Sequence, residues 1–177
     1  ETEAALSLTE TVLVRFPKAG ELLRIRGQLL HDSGRRGEAL VATETALEVL
    51  SDDCELLTAH SAMLAREGRP EEALTMGHRA AENSLTHEGA DVRRAALIQL
   101  MSCHIELRQL GTARAELQDY QRRAPNLPET WIALARCLHL TGHHGDAETA
   151  LREARNRFPD HLEIEWLHCI YALAPIY

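Results

Sequence analysis

Alanine recurs along this 177-residue chain at intervals that a repeat explains. Ala5, Ala39 and Ala73 follow one another at a step of 34, Ala113 comes after a step of 40, and Ala147 after another of 34. The tripeptide Arg-Phe-Pro stands at 15–17 and again at 157–159, and the offset between its two copies equals the offset from Ala5 to Ala147. Gly34 and Gly68, Ala46 and Ala80, Pro125 and Pro159, and Cys103 and Cys137 keep the same step of 34. Independent markers at one period mean stacked copies of one supersecondary unit.

Inside each period the pattern is helical. Leu22, Leu23, Leu29 and Leu30 share one helix face, and Gly34 stops that helix. A second apolar pattern follows at Ala39, Leu40, Ala46, Leu47 and Leu50. Pro70 and Pro128 fall where a first helical turn tolerates proline, Asn126 reads as a helix cap, and Asp160 with Glu163 reads as a capping box. Two helices of about 12–14 residues per period leave room only for short turns, so each unit is an antiparallel pair. Such a pair cannot bury its apolar face alone, and neighbours must stack. Ala39, Ala46, Ala73, Ala80, Ala113, Ala147 and Ala154 recur where helices approach closely, since larger side chains would overpack the contact.

At this point the chain resembles the tetratricopeptide repeat (TPR) family. The best copy, 128–161, carries Trp131, Leu134, Ala135, Leu138, Gly142, Ala147, Leu151, Ala154 and Pro159 in the family's signature places. Copy 20–53 carries Leu23, Gly27, Leu30, Gly34, Ala39 and Ala46, and copy 54–87 carries Leu57, Leu64, Gly68, Ala73 and Ala80. Copy 94–127 keeps Leu97, Leu100, Ala113, Leu117, Tyr120 and Pro125 but departs at His104 and Arg108. Residues 1–17 fit a preceding second helix and 162–177 a terminal helix, so one TPR domain spans the chain. The resemblance implies an all-α solenoid, a right-handed superhelix of antiparallel helix pairs. Six residues are inserted between the second and third copies; they are read as a loop near Ser84–Gly89, followed by a longer first helix from about Asp91.

Composition narrows the function. With hydrophobic residues at 45% and aromatics at 4%, the core is built from Leu and Ala. A net charge of −8 lacks the basic footprint of nucleic-acid binding. No apolar run approaches the ~20 residues of a membrane span, so no membrane insertion is expected. Arginine outnumbers the single Lys18 heavily, which points to a GC-rich, bacterial genome. The chain opens at Glu1 without a signal peptide and reads as a piece of a longer protein, cytoplasmic, with the periplasm left open.

No phosphate loop, nucleotide fingerprint, nucleophile elbow or zinc-protease motif is present, and no catalytic residue or cofactor is assigned. The pairs Asp52-Asp53 and Glu71-Glu72 suit helix starts. His139 and His143 have a metal-compatible spacing, but Gly142 should end their helix and no third ligand is placed, so no metal is expected. His104 reads as a buried, hydrogen-bonded histidine. Cys54, Cys103, Cys137 and Cys169 read as small buried hydrophobes, without a Cys103–Cys137 disulfide.

The resemblance implies that first helices line a concave groove. Its groove-facing places hold Arg24, Gln28, Ile98, Ile105, Ile132, Arg136, His139, Trp166 and Ile170. Family members that clamp a peptide carboxylate use Lys, Asn and Arg at such places; this set has no Asn, so that assignment fails. The expected role is a non-catalytic scaffold holding a peptide, a helix or another segment of its parent protein, with Arg136 orienting a carboxylate or carbonyl. The alternative is a regulatory or substrate-presenting domain of a larger enzyme or secretion protein. The solenoid ends are expected to self-associate weakly, or the segment ending at Pro175 to fold over the end.

Overall fold

Glycine and its substitutes set the turns. The computed structural model describes residues 2–86 and 89–173, and among these it contains ten helices and no strand. They are α1 (Thr2–Arg15), α2 (Gly20–Asp32), α3 (Arg36–Leu47), α4 (Cys54–Arg66), α5 (Pro70–Ser84), α6 (Ala90–Glu106), α7 (Leu110–Arg123), α8 (Pro128–Leu140), α9 (His144–Arg157) and α10 (Leu162–Leu173). The first helix of each pair ends in the same reversal. Arg35 N–H donates to Leu30 O at 2.9 Å, Arg69 to Leu64 at 3.0 Å, Gln109 to His104 at 2.8 Å and His143 to Leu138 at 2.8 Å. This six-to-one bond needs a left-handed residue just before it. Gly34, Gly68 and Gly142 supply it at φ 78°, 74° and 77°, and Arg108 supplies it at φ 56°.

The packing groups the chain into two compact units, Glu1–Asn83 and Ser84–Tyr177. In the first, α2 lies so close on α3 that a Cβ built on Gly27 would sit 2.6 Å from Thr43 Cγ2. Leu6 of α1, Leu30 of α2, Ala39 and Ala42 of α3, and Met63 of α4 form one core. Ser61 donates to Ala73 O at 2.7 Å and so joins α4 to α5. In the second unit, Trp131, Ile132 and Ala135 of α8 pack with Leu151 and Ala154 of α9 and with Ile164 and Leu167 of α10. All seven alanines expected at close helix contacts are 0% exposed.

Several local expectations are corrected. Asn126 does not cap α8: Leu127 holds that place with extended backbone, as a residue before proline does, and no side chain caps the turn. Glu163 does not turn back to cap α10 but reaches Arg136 at 2.9 Å. In the insertion, α5 continues through Ser84, which is buried, and α6 starts at Ala90 and runs 17 residues. Residues 87 and 88, in the expected loop, and Pro175 lie outside the described residues. Cys54, Cys103 and Cys137 are buried, whereas Cys169 on α10 is exposed.

Two stability tests follow. Arg108 is the one non-glycine residue among those described with positive φ, a conformation that costs an L-residue about 1–2 kcal/mol. Part of that gain is offset by glycine's larger unfolded-state entropy. Arg108→Gly should therefore raise the unfolding free energy by about 0.5–1 kcal/mol in a urea melt; a loss would contradict the strain. The second concerns His60, buried, with Nδ1 2.7 Å from Thr43 Oγ1. Burial holds its pKa below the ordinary histidine value. The unfolded chain therefore binds the proton more readily, and the contribution of His60 is intact above about pH 6.5 and lost as pH falls. Urea melts should show the wild type losing more stability than His60→Gln between pH 7 and pH 5; parallel losses would contradict it.

Candidate binding surface

Charge pairs hold the row of first helices in the second unit. Glu129 and Glu163 are one repeat period apart, each the second residue of its helix. Glu129 reaches back from α8 to Arg93 of α6, with Nε–Oε2 at 3.2 Å and Nη2–Oε1 at 3.4 Å. That pair is almost fully buried. Glu163 reaches back from α10 to Arg136 of α8 at 2.9 Å and to Arg94 of α6 at 3.4 Å. In the first unit Glu55 of α4 lies 3.9 Å from Arg24 of α2 in the same sense. The sequence reading missed this ladder, although the periodic spacing of Glu129 and Glu163 is legible.

Between α6, α8 and α10 lies an open pocket of about 370 Å³, lined by Met101, Arg136, His139, Leu140, Trp166, Leu167, Ile170 and Tyr171. It gathers four of the nine expected groove residues: Arg136, His139, Trp166 and Ile170. Trp166 is 58% exposed, Ile170 39% and Leu140 55%, an apolar patch of a kind that marks interaction sites on soluble proteins. His139 is fixed by stacking on Tyr171, ring centroids 4.0 Å apart and planes 5° from parallel. Its Nδ1 lies 3.2 Å from Nδ1 of His144. Burial, then the neighbouring His144, pushes the His139 pKa down. As expected, the turn at Gly142 ends the helix and takes His143 off the face of His139, aiming it at Arg114 (2.6 Å) and Thr141. Burial raises the Tyr171 phenol.

The remaining expected residues divide. Ile132 is only 2% exposed and belongs to the core, because Ile164 and Leu167 of the following first helix cover it. It is withdrawn from the groove. Arg136 already serves Glu163, so its guanidinium is a bracing group rather than a free anchor. Ile98 is half-buried and Ile105 is exposed, and neither lines the pocket. In the first unit Gln28 donates to Asp32 at 2.7 Å and Arg24 pairs with Glu21 at 3.0 Å. These two line a smaller hollow of about 120 Å³ with Glu55, Leu56, Ala59 and Met63.

Met101, Leu140, Leu167 and Tyr171 were missed. Met101 had a signal: its repeat equivalents are Gly27, Ser61 and Ala135, all small. His104 is buried as expected, with Nε2 2.8 Å from Glu116 Oε2. A larger hollow of about 410 Å³ lies over the other side of α8, between α7 and α9. Its rim is polar, and its one aromatic, Trp131, is buried and donates its indole N–H to Pro125 O at 2.9 Å. No helix among the described residues is long and apolar enough to cross a membrane.

The Arg93–Glu129 pair predicts a large effect. Glu129→Ala leaves a buried guanidinium without its carboxylate and should cost about 3–5 kcal/mol in a urea melt, with much of the loss recovered by Arg93→Met/Glu129→Leu. A loss below about 1 kcal/mol would mean that the pair does not brace α8 on α6.

No protein-family model and no curated protein sequence matches the chain. Solved structures do. PilW, a type IV pilus biogenesis factor, is 22% identical over 98% of this chain and 78% of its own, with a TM-score of 0.64. TTC0263, a TPR protein of Thermus thermophilus, is 21% identical over 97% of this chain and 91% of its own, at 0.61. YrrB, a TPR protein with an unusual peptide-binding site, is 17% identical over 94% of this chain and 83% of its own, at 0.57. The fold is the all-α helical-repeat fold of TPR proteins.

Proposed function

We propose that this chain is a non-catalytic protein-interaction scaffold and that the α6–α8–α10 pocket receives a segment of a partner protein. The observation that carries this reading is the exposure of Trp166 and Ile170 beside Leu140. Three large apolar side chains are exposed together there among the described residues, which is how interaction patches look. An exposed tryptophan is also a frequent energetic anchor in protein interfaces. Support of a second kind comes from YrrB, a protein of the same fold with a peptide-binding site. The groove at large is not assigned: Arg24, Gln28, Ile98 and Ile105 stay candidates for outlying contacts, and Ile132 does not.

Mutation separates surface from core. A displayed peptide library panned on the full chain should yield binders whose affinity falls at least ~tenfold, about 1.4 kcal/mol, in Trp166→Glu and in Ile170→Glu. Both variants should keep wild-type helicity and melting temperature, whereas Ile132→Glu should lose several kcal/mol of stability, as core substitutions do. Undiminished binding by Trp166→Glu, or its unfolding, would overturn the reading.

A further inference from the structure

We propose that His139 and His144 form a two-imidazole binding site for a divalent transition-metal ion of the zinc, nickel and copper class. The site joins the last turn of α8 to the first residue of α9, and it holds whether or not a partner docks beside Trp166. The Nδ1 atoms of the two rings lie 3.2 Å apart, with the ring planes at 64°. Zinc–imidazole bonds are about 2.0–2.1 Å long, so two nitrogens on one ion stand about 2.9 Å apart at a right angle and about 3.3 Å apart at the tetrahedral angle. The observed separation falls between these limits. A hydrogen bond between the rings gives the same distance when one Nδ1 carries the proton, whereas in the metal-bound form both protons sit on Nε2. The tautomers therefore tell the two states apart.

The ligands are ordered by the fold. Gly142 N–H donates to His139 O at 3.1 Å and His143 N–H to Leu138 O at 2.8 Å, which fixes the turn between them. Stacking on Tyr171 holds the His139 ring. The two histidines are five positions apart, so an ion that joins them closes no long loop. The helical spacing of His139 and His143 is thus not the pair that converges, and the turn brings in His144 instead. Arg136, which lines the same pocket as His139, is paired with Glu163 at 2.9 Å, so its charge is already countered. Imidazole nitrogens suit zinc, nickel and copper, whereas magnesium and calcium take oxygen ligands. No third histidine, cysteine or carboxylate among the described residues completes the pair, which leaves the other coordination positions to water or to a side chain from outside.

The test titrates zinc chloride into the full chain by isothermal titration calorimetry, near neutral pH in a non-coordinating buffer. The wild type should bind zinc below millimolar, and His139→Gln and His144→Gln should each weaken that binding at least ~tenfold. His143→Gln should leave it unchanged, and magnesium chloride should not compete. Long-range proton–nitrogen spectra of the wild-type imidazoles should show zinc shifting Nδ1 of His139 and of His144, with both rings protonated at Nε2. Those spectra decide the matter if circular dichroism shows that a substitution has disturbed the helices. Zinc binding that survives in the double variant His139→Gln/His144→Gln, with neither Nδ1 shifted in the wild type, would mean an adventitious ion only, held by other histidines, and would overturn the proposal. Absence of binding below millimolar would overturn it too, as would a loss in His143→Gln equal to that in His144→Gln.

Discussion

Close approach of paired helices is the constraint on which the rest depends. Two helices joined by a turn of a few residues can bring their backbones together only where one side chain is small. Ala39, Ala73, Ala113 and Ala147 meet that demand with no exposed surface, and Gly27 meets it against Thr43. Because the same demand returns with each pair, small residues return in the sequence, and their spacing is the length of one pair. The left-handed turn follows from the same geometry. Arg108 shows how strict it is, since the backbone adopts the turn there even without glycine.

What was legible in the sequence is what this constraint writes down. Helix pairs, their turns at Gly34, Gly68 and Gly142, the alanine contacts and the burial of His104 are each local or periodic. The candidate surface was legible only in part, for a physical reason. Ile132 and Trp166 occupy one register position, yet one is core and the other exposed, because Ile164 and Leu167 pack with Ile132 while no helix among the described residues covers Trp166. Periodicity names the position and not its neighbour. Likewise Glu163 has the spacing of a capping residue, but a charge-assisted bond to Arg136 outcompetes the local one. Asn126 lost its capping role to the extended geometry that Pro128 imposes on Leu127. The His139–His144 contact spans a turn and could not be read from helical spacing.

In the second unit these features connect to function through one row of helices. Alanine contacts seat α8 on α9, buried Arg93–Glu129 ties α8 to α6, and Arg136–Glu163 ties α10 to α8. Arginine suits this bracing because its planar fork meets a carboxylate with two donors. At α10 the same register positions recur as Trp166 and Ile170, and no helix among the described residues covers them. The described part of the row thus ends in an apolar surface around Trp166, Ile170 and Leu140.

Native-state hydrogen exchange tests that claim most directly. Helix α8 is packed on α6, α7, α9 and α10, whereas α10 is packed on α8 and α9 among the described residues. The account predicts that amides of α8 exchange slowest in the second unit and that those at 166–172 exchange at least ~tenfold faster, through local opening of α10. Protection of α10 equal to that of α8 in the isolated chain would mean that its outer face is already covered, and would contradict the account.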